Sequence, residues 1–310
     1  MKRALTVAAV GLAALFAPEA LAAEGTATAA PWWVWPLALF VVCFLLGIVA
    51  VPAGVGGGVL FVPIVGGFFP FHLDYVRAAG LLVALASALA AAPELLRNGC
   101  ANLRLAFPLA LLASASSILG ATIGFALPTH TLQTALGLTI LGIVALMASA
   151  RRSEFPLVPQ PDRLSVALGM HGVLALGGPG GATPWHVHRT PQALGVFFVI
   201  GVLAGLFGLG AGWANLPALN LLMGAPLKVS VGTSSFILSL VDSSAAWVYI
   251  NHGAVLPVVA VPSVIGMMLG AKIGARLLRI MPAAHIRRLV LALLVFAGLR
   301  ALTKGLGLWN

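Results

Sequence analysis

Charge is scarce in this sequence. Of 310 residues, 17 are Lys or Arg and 7 are Asp or Glu, so 8% carry charge, against about 25% in an ordinary soluble domain. So few charges cannot cover the surface of a globule of this size, which excludes a soluble enzyme. Disorder is excluded as well, because it needs low hydrophobicity and high charge. Two cysteines, Cys43 and Cys100, are too few for a disulfide framework or a metal cluster, and no paired-Cys motif offers a thiol relay. A nucleotide-binding P-loop is missing too, so ATP does not drive the protein directly. No cofactor is implied.

What is abundant is apolar: 61% hydrophobic residues and 36 glycines besides. That is the composition of an all-α polytopic membrane protein, with room for roughly eight helices of about 20 residues. The net charge of +10 reads as loop Lys and Arg that fix orientation, not as a nucleic-acid surface, since no basic run alternates with aromatics. A positive interior field favours an anionic substrate.

Residues 1–22 read as a signal peptide. Lys2 and Arg3 precede the apolar run Ala4 to Phe16, then Pro18 and the small-residue pattern Ala20-Leu21-Ala22, the order of a secretory leader. After the interfacial pair Trp32-Trp33, apolar stretches fall at 33–54, 76–96, 103–127 and 130–150, and again at 192–213, 229–250, 255–279 and 285–302. Two shorter pieces, 58–70 and 212–224, follow glycine clusters. Thirteen helical residues reach only about 20 Å, short of a ~30 Å hydrocarbon core, so these are half-helices.

The two sets are copies. Gly47…Gly54-Val55-Gly56-Gly57-Gly58…Pro63 matches Gly201…Gly208-Leu209-Gly210-Ala211-Gly212…Pro217, and Leu119-Gly120-Ala121-Thr122-Ile123-Gly124 matches Leu269-Gly270-Ala271-Lys272-Ile273-Gly274. We expect a first transmembrane repeat at 33–150, an extramembrane linker at 151–191 and a second repeat at 192–305, each repeat with about four long helices, a glycine-broken first helix and a half-helix. Basic residues then set the topology. Five passes per repeat leave only Arg77, Arg300 and Lys304 outside, whereas four passes put more Lys and Arg outside than in. The positive-inside rule selects five, and an odd number makes the repeats inverted.

In the linker, Gly172–Leu176 and Trp185–His188 read as a small β-hairpin turning through Gly177-Gly178-Pro179-Gly180-Gly181. His171, His186 and His188 cluster there without a carboxylate or Cys, which favours inert loop histidines over a metal site.

A glycine break inside an apolar span leaves backbone N–H groups unpaired, at several kcal/mol each in hydrocarbon, so it must be buried in protein or line a wet cavity. The half-helix behind it aims its positive end at that cavity, where an anion is stabilised. Two inverted breaks would converge near the midplane. The predicted substrate-binding residues are therefore Gly56, Gly57, Gly58, Gly210 and Gly212, joined by Asn215 and by Gly232, Thr233 and Ser234 at the opening of the helix behind. Asp242, inside a span, is the coupling candidate, and Lys272 snorkels to the interface.

The duplicated G-x-G-G-G…P motif, the G-T-S stretch at Gly232–Ser234, the hairpin before the second copy and the L-G-A-x-x-G elements resemble the TauE/SafE family of sulfite and organosulfonate exporters, over about residues 38–305. Two positions depart from the pattern: Ala211 stands where another glycine is usual, and Gly80-Leu81-Leu82 where G-T-S is expected, implying an asymmetric site. The resemblance implies a non-enzymatic secondary transporter in the bacterial inner membrane, exporting sulfite, a sulfonate or a related oxyanion. The alternatives are a non-transporting scaffold that docks partners on its hairpin, and an importer of an organic anion. Partners implied are a small anion and the lipid bilayer, with no nucleic acid; a homo-oligomer is compatible with the sequence.

Overall fold

The computed structural model describes residues 31, 33–53, 56–97, 101–149, 156, 158, 160–175, 182–210, 212–277 and 283–307. The expected signal peptide, the turn at 177–181 and Ala211 lie outside these residues. Contacts divide the chain into Met1–Val34 and Trp35–Asn310, and the second unit holds the helical bundle.

Eight long helices dominate: α1 (Val34–Ala53), α3 (Leu73–Arg97), α4 (Leu103–Ala126), α5 (Thr129–Ser149), α7 (Thr190–Phe207), α9 (Leu227–Asn251), α10 (Pro257–Leu277) and α11 (Ala283–Gly305). Two short ones interrupt the series, α2 (Gly57–Phe68) and α8 (Gly212–Pro217), the latter widening into a π-helical turn at Ala218–Leu222. A single turn, α6 (Arg163–Ala167), precedes the hairpin β1 (His171–Ala175) and β2 (Ala182–His186). Among the described residues, six helices are long and apolar enough to cross a membrane: α3, α4, α5, α7, α9 and α10.

The boundaries follow local chemistry. Asn102 caps α4 by accepting a hydrogen bond from the Leu105 amide. Pro226 and Pro257 stand where α9 and α10 begin, a position that needs no donated amide. The stretch predicted at 192–213 stops short because Gly208, at φ +67°, ends α7 in the left-handed region. In addition, the G-T-S residues lie two turns inside α9, which Pro226 lets start at Leu227.

Order and length recur between the halves. Helix α3 (73–97) and helix α9 (227–251) have identical lengths 154 positions apart, and Pro63 and Pro217 interrupt α2 and α8 at the same displacement. The halves also interlock through backbone. On α4, Gly120 and Gly124 lie against the Val202 and Leu206 carbonyls of α7; on α10, Gly270 and Gly274 lie against the Phe44 and Ile48 carbonyls of α1. Both pairs run parallel. By contrast α5 and α11 are antiparallel, with the Leu302 amide 2.7 Å from where a Gly137 side chain would begin, and Gly305 against Thr134. Between apolar helices in lipid no hydrophobic force exists, so such close backbone approach is what holds them together.

The hairpin is offset from its predicted strands. β2 starts at Ala182 and ends at His186, leaving Val187 and His188 beyond it. In the pairing, Gly172 faces Trp185, and a side chain there would lie 2.8 Å from the indole. The Asn102 side chain donates to the His171 carbonyl and its amide to Thr233 Oγ1, while the His188 amide donates to the Met223 carbonyl at 3.0 Å. The hairpin is therefore stitched to the turns entering both α4 and α9. Beside it, burial acts to raise the Asp162 carboxyl, but hydrogen bonds from Thr190 and Ser165 hold it below the usual carboxylate range.

The bundle thus has a hairpin end and an opposite end carrying residues 66–75, 124–130, 251–257 and 300–307. The positive-inside count predicts that the hairpin end faces the cytoplasm. With Cys43 and Cys100 replaced by Ser, an exposed Leu306→Cys is expected to react with impermeant thiol reagent in intact cells, and an exposed Val173→Cys only after permeabilisation. Reaction of Val173→Cys from outside would reverse the topology.

Candidate functional site

The two half-helices meet at their first residues. A methyl group built on Gly212 would lie 3.5 Å from both the Cα and the N of Gly56, and one on Gly56 would lie 3.8 Å from the Gly212 Cα. Helix α2 ends beside residues 66–75, and α8 ends at Met223 beside the hairpin, so they approach from opposite ends of the bundle. At about 18 Å, the 12-residue α2 covers only half a membrane. Their leading amides have no partner within the helix, and both dipoles present their positive ends at one point.

Around that point stand three unpartnered polar side chains. Asp242 is fully buried and neither carboxyl oxygen has a hydrogen-bond partner; Oδ2 lies 3.2 Å from where a Gly210 side chain would begin. Asn215, on the first turn of α8, is likewise fully buried with both amide atoms unpartnered. Trp213, two residues earlier, buries an indole N–H that donates to nothing. Leu238 touches both glycine positions and sits one turn before Asp242 on α9. Leaving a buried polar atom unbonded costs about 1–3 kcal/mol, so three such groups at one junction single it out.

The glycines there divide in two. Gly58 is held by packing, since a side chain would sit 2.6 Å from the Leu209 carbonyl. Gly208 and Gly210 need positive φ, +67° and +71°. The nearest neighbour of a Gly57 side chain would be the flexible Met267 side chain at 3.0 Å, and Gly212 has only ordinary contacts, none nearer than 3.5 Å.

Other predicted residues lie elsewhere. Thr233 is nine positions before Asp242, about 13 Å along α9, and accepts the Asn102 amide at the hairpin end. Gly232 and Ser234 are buried on the same stretch. Lys272 is exposed on α10. His188 turns its Nδ1 to the Met223 carbonyl, away from a His171–His186 pair whose rings are 6.3 Å apart. Among the described residues no three His, Cys, Asp or Glu gather as metal ligands. Trp213 escaped the sequence reading because a Trp in an apolar run looks like lipid contact; only its place one residue past Gly212 marks it.

Membrane-length helices wound around two broken ones define a multi-pass membrane protein of the transporter class. The chain matches the family described as Sulfite exporter TauE/SafE over residues 39–301 and belongs to it. It is accordingly a multi-pass inner-membrane protein. It is 32% identical over 119 residues to the protein named "Probable membrane transporter protein YunE" of Bacillus subtilis (strain 168), a match covering 38% of this chain and 44% of that one. It is 26% identical over 279 residues to "Probable membrane transporter protein ORF9" of Sinorhizobium sp, covering 87% and 95%. No solved structure matches it at a significant level.

Packing glycines and glycines on an open helix face separate by melting. Gly58→Ala is expected to lower the thermal midpoint of purified protein sharply, by the ~1–3 kcal/mol of an overpacked core. Gly195→Ala, with nothing within 4 Å of the added methyl, should leave it unchanged or raise it, as helix propensity dictates.

Proposed function

We propose that this protein is a secondary transporter that exports a small sulfur oxyanion, sulfite or a sulfonate, and that the anion binds where the two half-helices meet. The observation that carries this is the Gly56–Gly212 approach of two opposed helix N-termini, with Asp242, Asn215 and Trp213 buried and unpartnered around it. Backbone amides and the indole and carboxamide N–H groups can replace water around an oxyanion without adding a fixed charge. The substrate class is taken from the family's description. Inverted repeats are supported by the reciprocal α4–α7 and α10–α1 pairs and by the antiparallel α5–α11 pair, which a two-fold axis across the bundle would each map onto its counterpart.

In this reading Asp242 couples transport to protons. A carboxyl that takes up a proton as an anion arrives keeps the charge of the junction constant, and keeping it constant lowers the cost of crossing a low-dielectric site. Its lack of hydrogen bonds argues against a structural hub.

Sulfite flux into proteoliposomes tests both points. Gly57→Leu and Gly212→Leu should reach the membrane in normal amount yet lose flux at least about tenfold, the effect of forfeiting one charge-assisted hydrogen bond. Wild-type flux in the pair would remove the junction from the path. Asp242→Asn should still exchange anion but lose flux driven by a pH gradient; retention of the pH-driven component would end the coupling role.

A further inference from the structure

At the end opposite the hairpin lies a cavity of about 460 Å³, lined by His72, Asp74, Tyr75, Phe125, His252 and the adjoining 253–254 turn. Behind it is the one fully buried arginine among the described residues. The Arg77 guanidinium lies against a pair of packed rings, 5.4 Å from the Phe125 centroid and 5.2 Å from the Tyr249 centroid, which are themselves 4.8 Å apart. Its Nη1 donates to Asp74 Oδ1 at 2.6 Å and to the Gly124 carbonyl at 3.3 Å, while Nε and Nη2 are buried without partners. Asp74 keeps 28% of its side chain exposed and Arg77 only 1%. The carboxylate is thus the cavity-side half of the pair.

The helix that carries this arginine runs on to the half-helix junction. Gly208, two residues before Gly210, packs on the Arg77 backbone. Further along α3, Gly80 faces the Gly208 carbonyl and Ala84 faces Gly210. Seven residues of helix separate Arg77 from Ala84, about 10 Å. Cavity, guanidinium and junction therefore lie in sequence along one helix.

We propose that this cavity is a second, outer anion subsite in which a small oxyanion exchanges with the Asp74 carboxylate on Arg77. The proposal rests on the transport reading above for the identity of the anion. A bare guanidinium beneath two aromatic rings would hold an oxyanion tightly, because it is always charged and poorly hydrated there. A carboxylate three residues away on the same helix competes at high effective concentration and weakens that hold. Recognition is kept, and release becomes fast enough for turnover. The exposed His72 stands beside the pair, its Nδ1 accepting from the Asp74 backbone amide and lying 3.3 Å from Asp74 Oδ2, and His252 stacks on Phe125 at 4.3 Å to form the wall the anion would pass.

The test is calorimetric titration of full-length protein in nanodiscs with sulfite and with methanesulfonate. Asp74→Asn removes the competitor and should tighten binding about tenfold. The paired Asp74→Asn/Arg77→Gln variant removes both charges together, which leaves no buried charge unpaired, and should weaken binding at least about tenfold. Unchanged or weaker binding by folded Asp74→Asn, or wild-type affinity in the paired variant, would overturn the proposal. If Asp74→Asn does not fold, the paired variant decides alone. Repeating the titrations in Gly57→Leu separates the two sites: the outer site predicts that binding survives there and still responds to both changes. Complete loss with Gly57→Leu alone would overturn it and leave the junction as the binding site.

Discussion

A peptide group without a hydrogen-bond partner costs several kcal/mol in hydrocarbon, and this molecule contains two stretches where the helix ladder is broken on purpose. Everything else is arranged to keep those stretches away from lipid. Gly58 and Gly80 let α2 and α3 of the first half lie directly on the Leu209 and Gly208 carbonyls of the second half's break, at a distance where no side chain fits. The backbone-on-backbone pairs α4–α7 and α1–α10 then close around the junction. The second break is thus buried from both sides, by α2 and α3 of the other half and by Leu238 and Asp242 of its own α9.

Crossed halves also limit how the protein can move. A glycine face seated on a carbonyl row cannot slide by less than a full turn without collision, so α4 with α7 and α1 with α10 behave as stiff units. Compliance is left to the half-helices. Met267, the nearest side chain to a Cβ at Gly57, has a flexible thioether tip. The π-helical turn at Ala218–Leu222 gives α8 a weaker ladder just before Met223, where the hairpin's His188 is attached. Motion at the hairpin would reach the half-helix by that route.

Much of this could be read in advance because glycine carries a backbone message. The repeated glycines, the spaced prolines and the shortened apolar runs announced two broken helices; α2, and α8 taken with its π-helical turn, fall within two residues of the expected ends, whereas α7 stops six residues short of 213. The polar residues were harder. Ser, Thr and Asn inside a span look alike whether they bind substrate or pack helices. Only three-dimensional placement shows that Asn215 is buried without a partner on the first turn of α8 while Thr233 serves the Asn102 turn. Arg77 was counted as a loop charge that sets topology, and its role beneath two aromatic rings depends on Phe125 and Tyr249, 48 and 172 positions away in the chain. No local pattern encodes a partner at that distance.

The common frame also shows where the halves differ. At the 154-residue displacement that relates α3 to α9, Asp242 corresponds to Ala88, Asn215 to Phe61, Trp213 to Val59 and Arg77 to Val231. The backbone devices are duplicated and the chemistry is not. Two-fold symmetry would demand this price of a fully symmetric site: a second carboxyl facing the first across a low-dielectric junction, or a second buried guanidinium, each repelling its twin. Confining the carboxyl and amide to the second half and the arginine to the first removes the repulsion. It also makes the two ends of the path unlike, with a cation toward one face and a carboxyl at the centre. In the proposed transport cycle an inverted frame would let the protein open either way, and it is this asymmetry of side chains that would make the two openings differ in their hold on the anion.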